Sequence, residues 1–453
     1  MIARRRFLAA LAAMAGASAI GRDARALGRT PLGGRVAMHV PWPTVGIDPH
    51  DLRDPTAALF ASAIADAIFA TDPGAPPYPT LASAMPSREG ADTVVRLREG
   101  LRTARGVALD ARDLIASVER ARTRGAASVL AQVPRPVAHK SDPLAAVFGP
   151  IDPQHLARAL SSPLCALLPR RFDPGAPDGT GAFRADISPI GITLARNLLA
   201  ARGASFLDEI VIAPAVDLKT SLRSFEAETD DIGWLGLGLH DGRKGAVRMD
   251  LGRAAWIVLS TGLDAGSFGL PGAAQRLADA LPPERLAHLG IGALPAATGD
   301  PAWGGPPADL LVDDASPHLV EVARAVAPIL SRPGHEVTAL PVARAEIARR
   351  RARGKATLAI EIVRAVGPTP LHTLLSLATA EDVVRGRDLG RAPPKGITAT
   401  SSARQLTSGL RVGVLGELRI AGGAIPDIVF ARSPSGEGWD LGASFRRATR
   451  RTA

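Results

Sequence analysis

Between Asp309 and Val363 the sequence changes its hydrophobic period four times, and no other stretch narrows the choice of fold so far. Asp309–Val312, Glu336–Pro341 and Ala356–Val363 are short apolar runs of strand type. Pro317–Leu330 and Arg344–Arg353, between them, read as helices, the first strongly amphipathic. Strands joined through helices can lie parallel, so this alternation predicts a parallel sheet.

The rest of the chain reads as mixed α/β. Arg35–Val40 is a short strand stopped by Pro41-Trp42-Pro43, where proline removes ladder donors. Asp54-Pro55 is a start signal for a helix over Thr56–Phe69. Thr93–Arg98 is a strand, followed by a helix over Ala111–Arg124 capped by Asp110. Asp142–Leu168 contains helical pieces broken by Pro150, Pro153 and Pro163, and residues 169–181 form a loop dense in Pro, Gly and Asp. Phe206–Ala213 and Asp231–Leu237 read as strands around a short helix starting near Lys219. Arg253–Ser260 is unusually apolar, as a strand covered on both faces would be. Helix returns at Ala273, a loop spans Asp300–Pro307, and the tail from Arg411 reads as short strands with a turn at Gly422-Gly423.

At 453 residues the chain exceeds one ordinary core and suits two or three lobes. Its formal charge of +10 rests on arginine, with lysine only at 140, 219, 244, 355 and 395. Basic and acidic residues are interspersed and there is one tyrosine, so the stacking platforms of a single-strand binder are scarce, and no nucleic-acid partner is expected. The lone Cys165 excludes an internal disulfide and a thiolate metal cluster.

The first residues read as an address. Arg4, Arg5, Phe7 and Leu8 resemble the twin-arginine export motif, and the alanine-rich run from Phe7 to Ile20 is short of the roughly 20 apolar residues of a membrane span. Small residues spaced for cleavage occur at Ala17-Ser18-Ala19 and again at Ala24-Arg25-Ala26, and the second, with cleavage after residue 26, is favoured. No cysteine follows the apolar run, so the usual lipoprotein anchor is not expected, and the mature protein is expected to be periplasmic.

Ile47-Asp48-Pro49-His50 and Leu81-Ala82, with the strings that follow them in order, resemble the peptide/nickel-binding family (family 5) of extracellular solute-binding proteins of ABC transporters, which has "LDPH" and "P-x-LA" at the first two places. The run from Val95 to Gly100, with Leu109-Asp110-Ala111-Arg112-Asp113 and Ser117 to Ala121, is similar to its longest shared motif. Gly179-Thr180-Gly181-Ala182-Phe183, Leu194 to Asn197 and Phe206 to Ile210 are similar to "GTGPY/F", "L-x-RN" and "YLDEI". Two features depart: the first hairpin has Thr103-Ala104-Arg105-Gly106, and the "AIDR" helix survives at best as Leu277–Leu286.

The resemblance implies an α/β, two-lobed fold of the type II periplasmic-binding-protein kind with a ligand cleft between lobes. Residues 34–253 and the returning 415–453 would form one lobe and residues 254–414 the other. It implies a monomer that captures a small solute, peptide-like by analogy, and delivers it to an ABC permease.

The residues themselves point away from catalysis. The nine histidines form no metal-ligand spacing, Gly236 to Gly242 is one residue too long for a dinucleotide fingerprint, and Gly354-Lys355 lacks the rest of a phosphate loop. An enzyme, a cofactor and a metal are therefore not expected. A binding cleft needs aromatic faces and polar groups at strand ends. Trp42, Trp234 and Trp256, on or beside strands that the resemblance places near the cleft, are candidates to line it, whereas Trp303 stands in a loop. His240, Arg364 and His372 complete the candidate set, Arg364 as a bidentate partner for a carboxylate. A core role for each tryptophan stays open, as does a surface role for Arg364 and His372. Two other functions also stay open, an exported enzyme or cofactor-assembly protein, and a sensor of the same fold that no longer transports.

Overall fold

A computed structural model describes residues 32–234, 243–293, 302–433 and 438–447. The export residues Arg4, Arg5, Phe7 and Leu8, and the candidate His240, lie outside these ranges.

In chain order the strands are β1 (Arg35–Val40), β2 (Phe69–Ala70), β3 (Tyr78–Pro79), β4 (Ser87–Glu89), β5 (Asp92–Arg96), β6 (Val137–Ala138), β7 (Ala145–Phe148), β8 (Phe183–Ser188), β9 (Gly191–Arg196) and β10 (Glu209–Pro214). They continue with β11 (Ile232–Trp234), β12 (Val247–Thr261), β13 (Ile291–Ala293), β14 (Ala308–Asp313), β15 (Val337–Val342), β16 (Leu358–Arg364), β17 (Val412–Ala424), β18 (Ile428–Arg432) and β19 (Trp439–Arg446). One sheet of 11 strands dominates, in the order β15-β14-β16-β12-β17-β11-β1-β10-β9-β8, with β13 also pairing to β17. A four-stranded sheet, β4-β5-β7-β6, and two hairpins complete the strands described.

The alternation that opened the sequence reading is realised directly. β14 pairs parallel with both β15 and β16, and the amphipathic helix is Pro317–Leu330. That helix buries Leu319, Val322, Ala323, Val326 and Leu330. Asp110 caps the helix Ala111–Arg122 through a reciprocal box with Asp113, satisfying N–H groups that the first turn would otherwise leave unpaired.

Other expectations are corrected. The helix begun at Pro55 stops at Ile64, not Phe69, because the Gly181 N–H docks on the Ile64 carbonyl (3.0 Å) and the chain turns away. That approach explains the Gly179-Thr180-Gly181 string: a Cβ on Gly179 or Gly181 would lie 2.3 or 2.5 Å from a backbone oxygen of that helix. Ala145–Phe148 is a strand held by β5, where helical pieces were expected. Leu277–Leu286 is not one helix, since Pro282-Pro283 separates Ala273–Asp279 from Pro283–Ala287. Gly422-Gly423 is no turn. Both glycines lie inside the 13-residue β17, paired with Trp234 and Gly233.

The main sheet is buried on both faces. Ala255, Ile257 and Leu259 of β12 join one hydrophobic core with the helix Pro317–Leu330, and Trp256 and Val258 join a second core with residues 52–167. The period-2 alternation of a strand thus feeds two cores from one segment.

Candidate functional site

The register of the main sheet locates a site. β12 and β17 form a long antiparallel ribbon, from Val247 opposite Ala424 to Ser260 opposite Val412. At one end β11 pairs Ile232 with Ala424 and Trp234 with Gly422, so it runs toward the middle of the ribbon. At the other end β16 pairs Leu358 with Thr261 and Arg364 with Ala255, so it also runs toward the middle. β1 and β10 are parallel with β11, and β14 and β15 with β16. The carboxyl ends of two parallel strand groups therefore face each other across Asp250–Ala255 and Leu418–Ala421. Strand carboxyl edges are where open α/β sheets bind ligands.

The floor of this gap is charged. Register shifts fall between Asp250 and Arg253 and between Arg253 and Ala255, so the ribbon is irregular there. The Arg419 Nη2 donates to both oxygens of Asp250 (3.0 and 2.9 Å), and its Nη1 reaches Glu417 (2.5 Å). Arg253 also pairs with Glu417 (3.2 Å), and its guanidinium lies over the Trp256 ring, 3.8 Å from the centre.

Across the gap runs the segment 41–54, which leaves β1 and leads into the helix Pro55–Ile64. Asp48 takes both Nη atoms of Arg120 (2.7 and 2.8 Å) and the His50 N–H (3.0 Å). Burial works to raise the Asp48 carboxyl, but Arg120 outweighs it and holds the pKa below its ordinary value. His50 is fully buried, with Nε2 on the Ala166 carbonyl (2.8 Å), and burial pushes its pKa down to about 4. Asp54 caps the following helix through Thr56 N–H (2.8 Å), and burial, with Asp51 adding to it, raises its pKa to about 6. Asp51 accepts from Arg344 Nη2 (2.7 Å), and Arg53 pairs with Glu361 (3.1 Å), which Arg351 also grips.

The expected site residues are distributed unevenly along this gap. Trp42 is buried at the exit of β1, edge-on to His318 with ring centres 6.2 Å apart. Trp256 is 5% exposed in β12, opposite Val363, next to Arg364 at the end of β16. Arg364 is buried, and its Nη1 donates to the Pro49 and Asp51 carbonyls (3.0 and 2.7 Å), which makes it a holder of the 41–54 segment. His372 sits in the capping box of the helix Pro370–Glu381, Nδ1 2.9 Å from the Thr369 hydroxyl, and burial lowers its pKa to about 4. The backbone of Trp234 ends β11 at the facing edge. Trp303 is a core residue, packed at a tilt against Phe268 with ring centres 4.6 Å apart, and with Nε1 on the Pro306 carbonyl (2.7 Å).

Asp51, Arg253, Arg344, Glu417 and Arg419 were not singled out in the sequence. Each is an ordinary charge in its local context, and only strand register and the path of residues 41–54 bring them to the gap. Asp48 was visible as part of a motif but not as an ion-pair partner. A separate hollow of about 300 Å³, lined by Asp309, Thr338, Lys355 and Thr357, opens at the amino ends of β14–β16, on the opposite edge from the gap. Among the described residues no three His, Cys, Asp or Glu side chains could hold a metal, and no helix is long and apolar enough to cross a membrane.

No protein-family model matches the sequence, and no curated protein matches it. Solved structures do. The oligopeptide-binding protein AppA of Bacillus subtilis, in complex with a nonapeptide, is 12% identical with a TM-score of 0.66, over 93% of this chain and 100% of that one. AgaA of A. tumefaciens R10, in complex with agropinic acid, is 14% identical with a TM-score of 0.68, again over 93% and 100%. The ABC transporter-associated periplasmic binding protein DppA of Helicobacter pylori, in complex with the peptide STSA, is 15% identical with a TM-score of 0.67, over 92% and 99%. The likeness spans nearly all of each chain, and the fold of this protein is that of the two-lobed peptide- and nickel-type binding proteins.

Proposed function

We propose, with that fold as premise, that the chain is a solute-binding protein that delivers a small, peptide-like solute to an ABC permease. The observation that carries the reading is the register of the β12–β17 ribbon, which turns the carboxyl edges of two parallel strand groups toward each other over a charged, irregular floor. Such an arrangement encloses a solute between two walls and exposes it again when they part. AppA, AgaA and DppA, solved in complex with a nonapeptide, agropinic acid and the peptide STSA, support the same reading by analogy.

In this reading residues 34–253 with 415–453 form one lobe and residues 254–414 the other, and the ribbon connects them. The solute lies between Trp42 and Trp234 on one side and Trp256, Arg364 and His372 on the other, with His240 on the segment after β11. Export through the twin-arginine route, carried by Arg4, Arg5, Phe7 and Leu8, delivers the folded chain to the periplasm as a monomer without a lipid anchor. The work is binding, not catalysis.

The test is native mass spectrometry of protein purified from its own host, followed by titration of the released solute against tryptophan fluorescence. A retained small molecule that shifts the emission, with Trp234→Ala binding more weakly than Arg349→Ala, is the expected result. Normal binding by folded Trp42→Ala, Trp234→Ala and Trp256→Ala proteins would refute the location, and a chain that neither retains nor binds any solute would refute the function.

A further inference from the structure

We infer that residues 41–54 act as a strap that holds the two facing carboxyl edges together in the solute-free protein, an inference that rests on the two-lobed reading above. The segment starts at the carboxyl end of β1, and it bonds to the chain at or just beyond the carboxyl end of each strand in the opposite parallel group. After β14, the His318 N–H donates to the Pro41 carbonyl (3.1 Å). After β15, Arg344 pairs with Asp51 (2.7 Å). At the end of β16, the Arg364 N–H donates to the Leu52 carbonyl (2.8 Å), while its guanidinium takes the Pro49 and Asp51 carbonyls. Deeper in β16, Glu361 holds Arg53 (3.1 Å).

The strap is stiff enough to transmit these bonds. Pro41, Pro43 and Pro49 limit its backbone, Asp48 is anchored to the helix Ala111–Arg122 by a bidentate Arg120, and the Arg53 Nη2 ties it to the Ala380 carbonyl (2.5 Å). Separating the edges would leave the buried Arg364 without its carbonyls and Glu361 without Arg53. Unpaired buried charges are costly, so the bonds favour the closed arrangement. Solute entry then requires the strap to let go, and Arg344–Asp51 is its weakest point, because the arginine side chain is 39% exposed and therefore screened.

Spin labels on cysteines introduced at Ile190 and Leu263, both exposed, report the separation by pulsed electron resonance, and the buried Cys165 stays unlabelled. The expected result is one short distance in solute-free protein. Arg344→Gln and Asp51→Asn should each raise a longer-distance population about fivefold. The exchanged pair Asp51→Arg with Arg344→Asp should restore the short distance. Raised salt should act on the unmutated strap as the single variants do, which tests the idea even where a variant folds poorly. A long distance in the solute-free protein, or distances indifferent to both salt and the variants, would overturn the strap. If the distances respond but no solute is ever bound, the strap stands and the transport reading fails.

Discussion

His50, which is buried, and His372 and Asp54, which are half-buried, are three titratable groups around the gap, and their shifts oppose one another. His50 and His372 fall from 6.5 to about 4, chiefly by burial, so each contributes stability that is present above pH 6.5 and lost as pH falls through 4. Asp54 rises from 3.8 to about 6, so its contribution is present below pH 3.8 and lost as pH rises through 6. Between pH 4 and 6.5 the two histidines outweigh the one carboxyl, and the protein should lose stability on acidification. Urea unfolding at a series of pH values checks the signs. His50→Gln should flatten the acid loss by an amount on the order of 3 kcal/mol across the window, and Asp54→Asn, which keeps a capping side chain, should steepen it. Parallel pH curves for all three proteins would contradict the assignment. None of this was legible locally: His50 stood in a recognisable motif and Asp54 at a capping position, but the His50 ring bonds to Ala166, more than a hundred positions away, and Asp54 feels the distant Arg344.

At the scale of elements, docking depends on positions where a side chain has no room. β17 receives the helix Ala273–Asp279 at Gly413, where a Cβ would lie 2.3 Å from the Ala274 carbonyl oxygen. The same contact is fastened by Gln275, whose side-chain oxygen accepts from the Val414 N–H (2.9 Å) and the Thr407 hydroxyl (2.5 Å). Gly413→Ala should therefore cost about 1–3 kcal/mol by overpacking, measured as a lowered denaturation midpoint, whereas Gly409→Ala, with only the Arg385 side chain at 3.9 Å, should change little. Equal effects would show that the helix yields freely. Strands and helices with strong local signals, such as Arg35–Val40, Pro317–Leu330 and Asp110 with its helix, were legible to within a few residues. Gly422-Gly423 misled because glycine permits a turn without requiring one, and here neither residue has a positive φ.

The molecule as a whole is tied together by β12 and β17. Successive residues of β12 enter different cores, Ala255, Ile257 and Leu259 one and Trp256 and Val258 the other, and in β17 the neighbours Val414 and Leu415 likewise enter different cores. Melting either core exposes one face of both strands, so the two lobes should unfold in a single transition. Calorimetry checks this, since the calorimetric and van't Hoff enthalpies should agree, and two resolved peaks would show lobes that are energetically separate. The sequence by itself determined the α/β class, the parallel order of β14–β16 and the apolar character of β12, because periodicity and chain connection are local properties. Only the tertiary structure decided that the two parallel groups face each other, that Arg364 grips the 41–54 segment, and that Arg253, Glu417 and Arg419 meet at the floor. Those facts depend on register between residues as distant in sequence as Ile232 and Ala424, and register is set by how side chains of both strands fill two cores at once, which no single segment encodes.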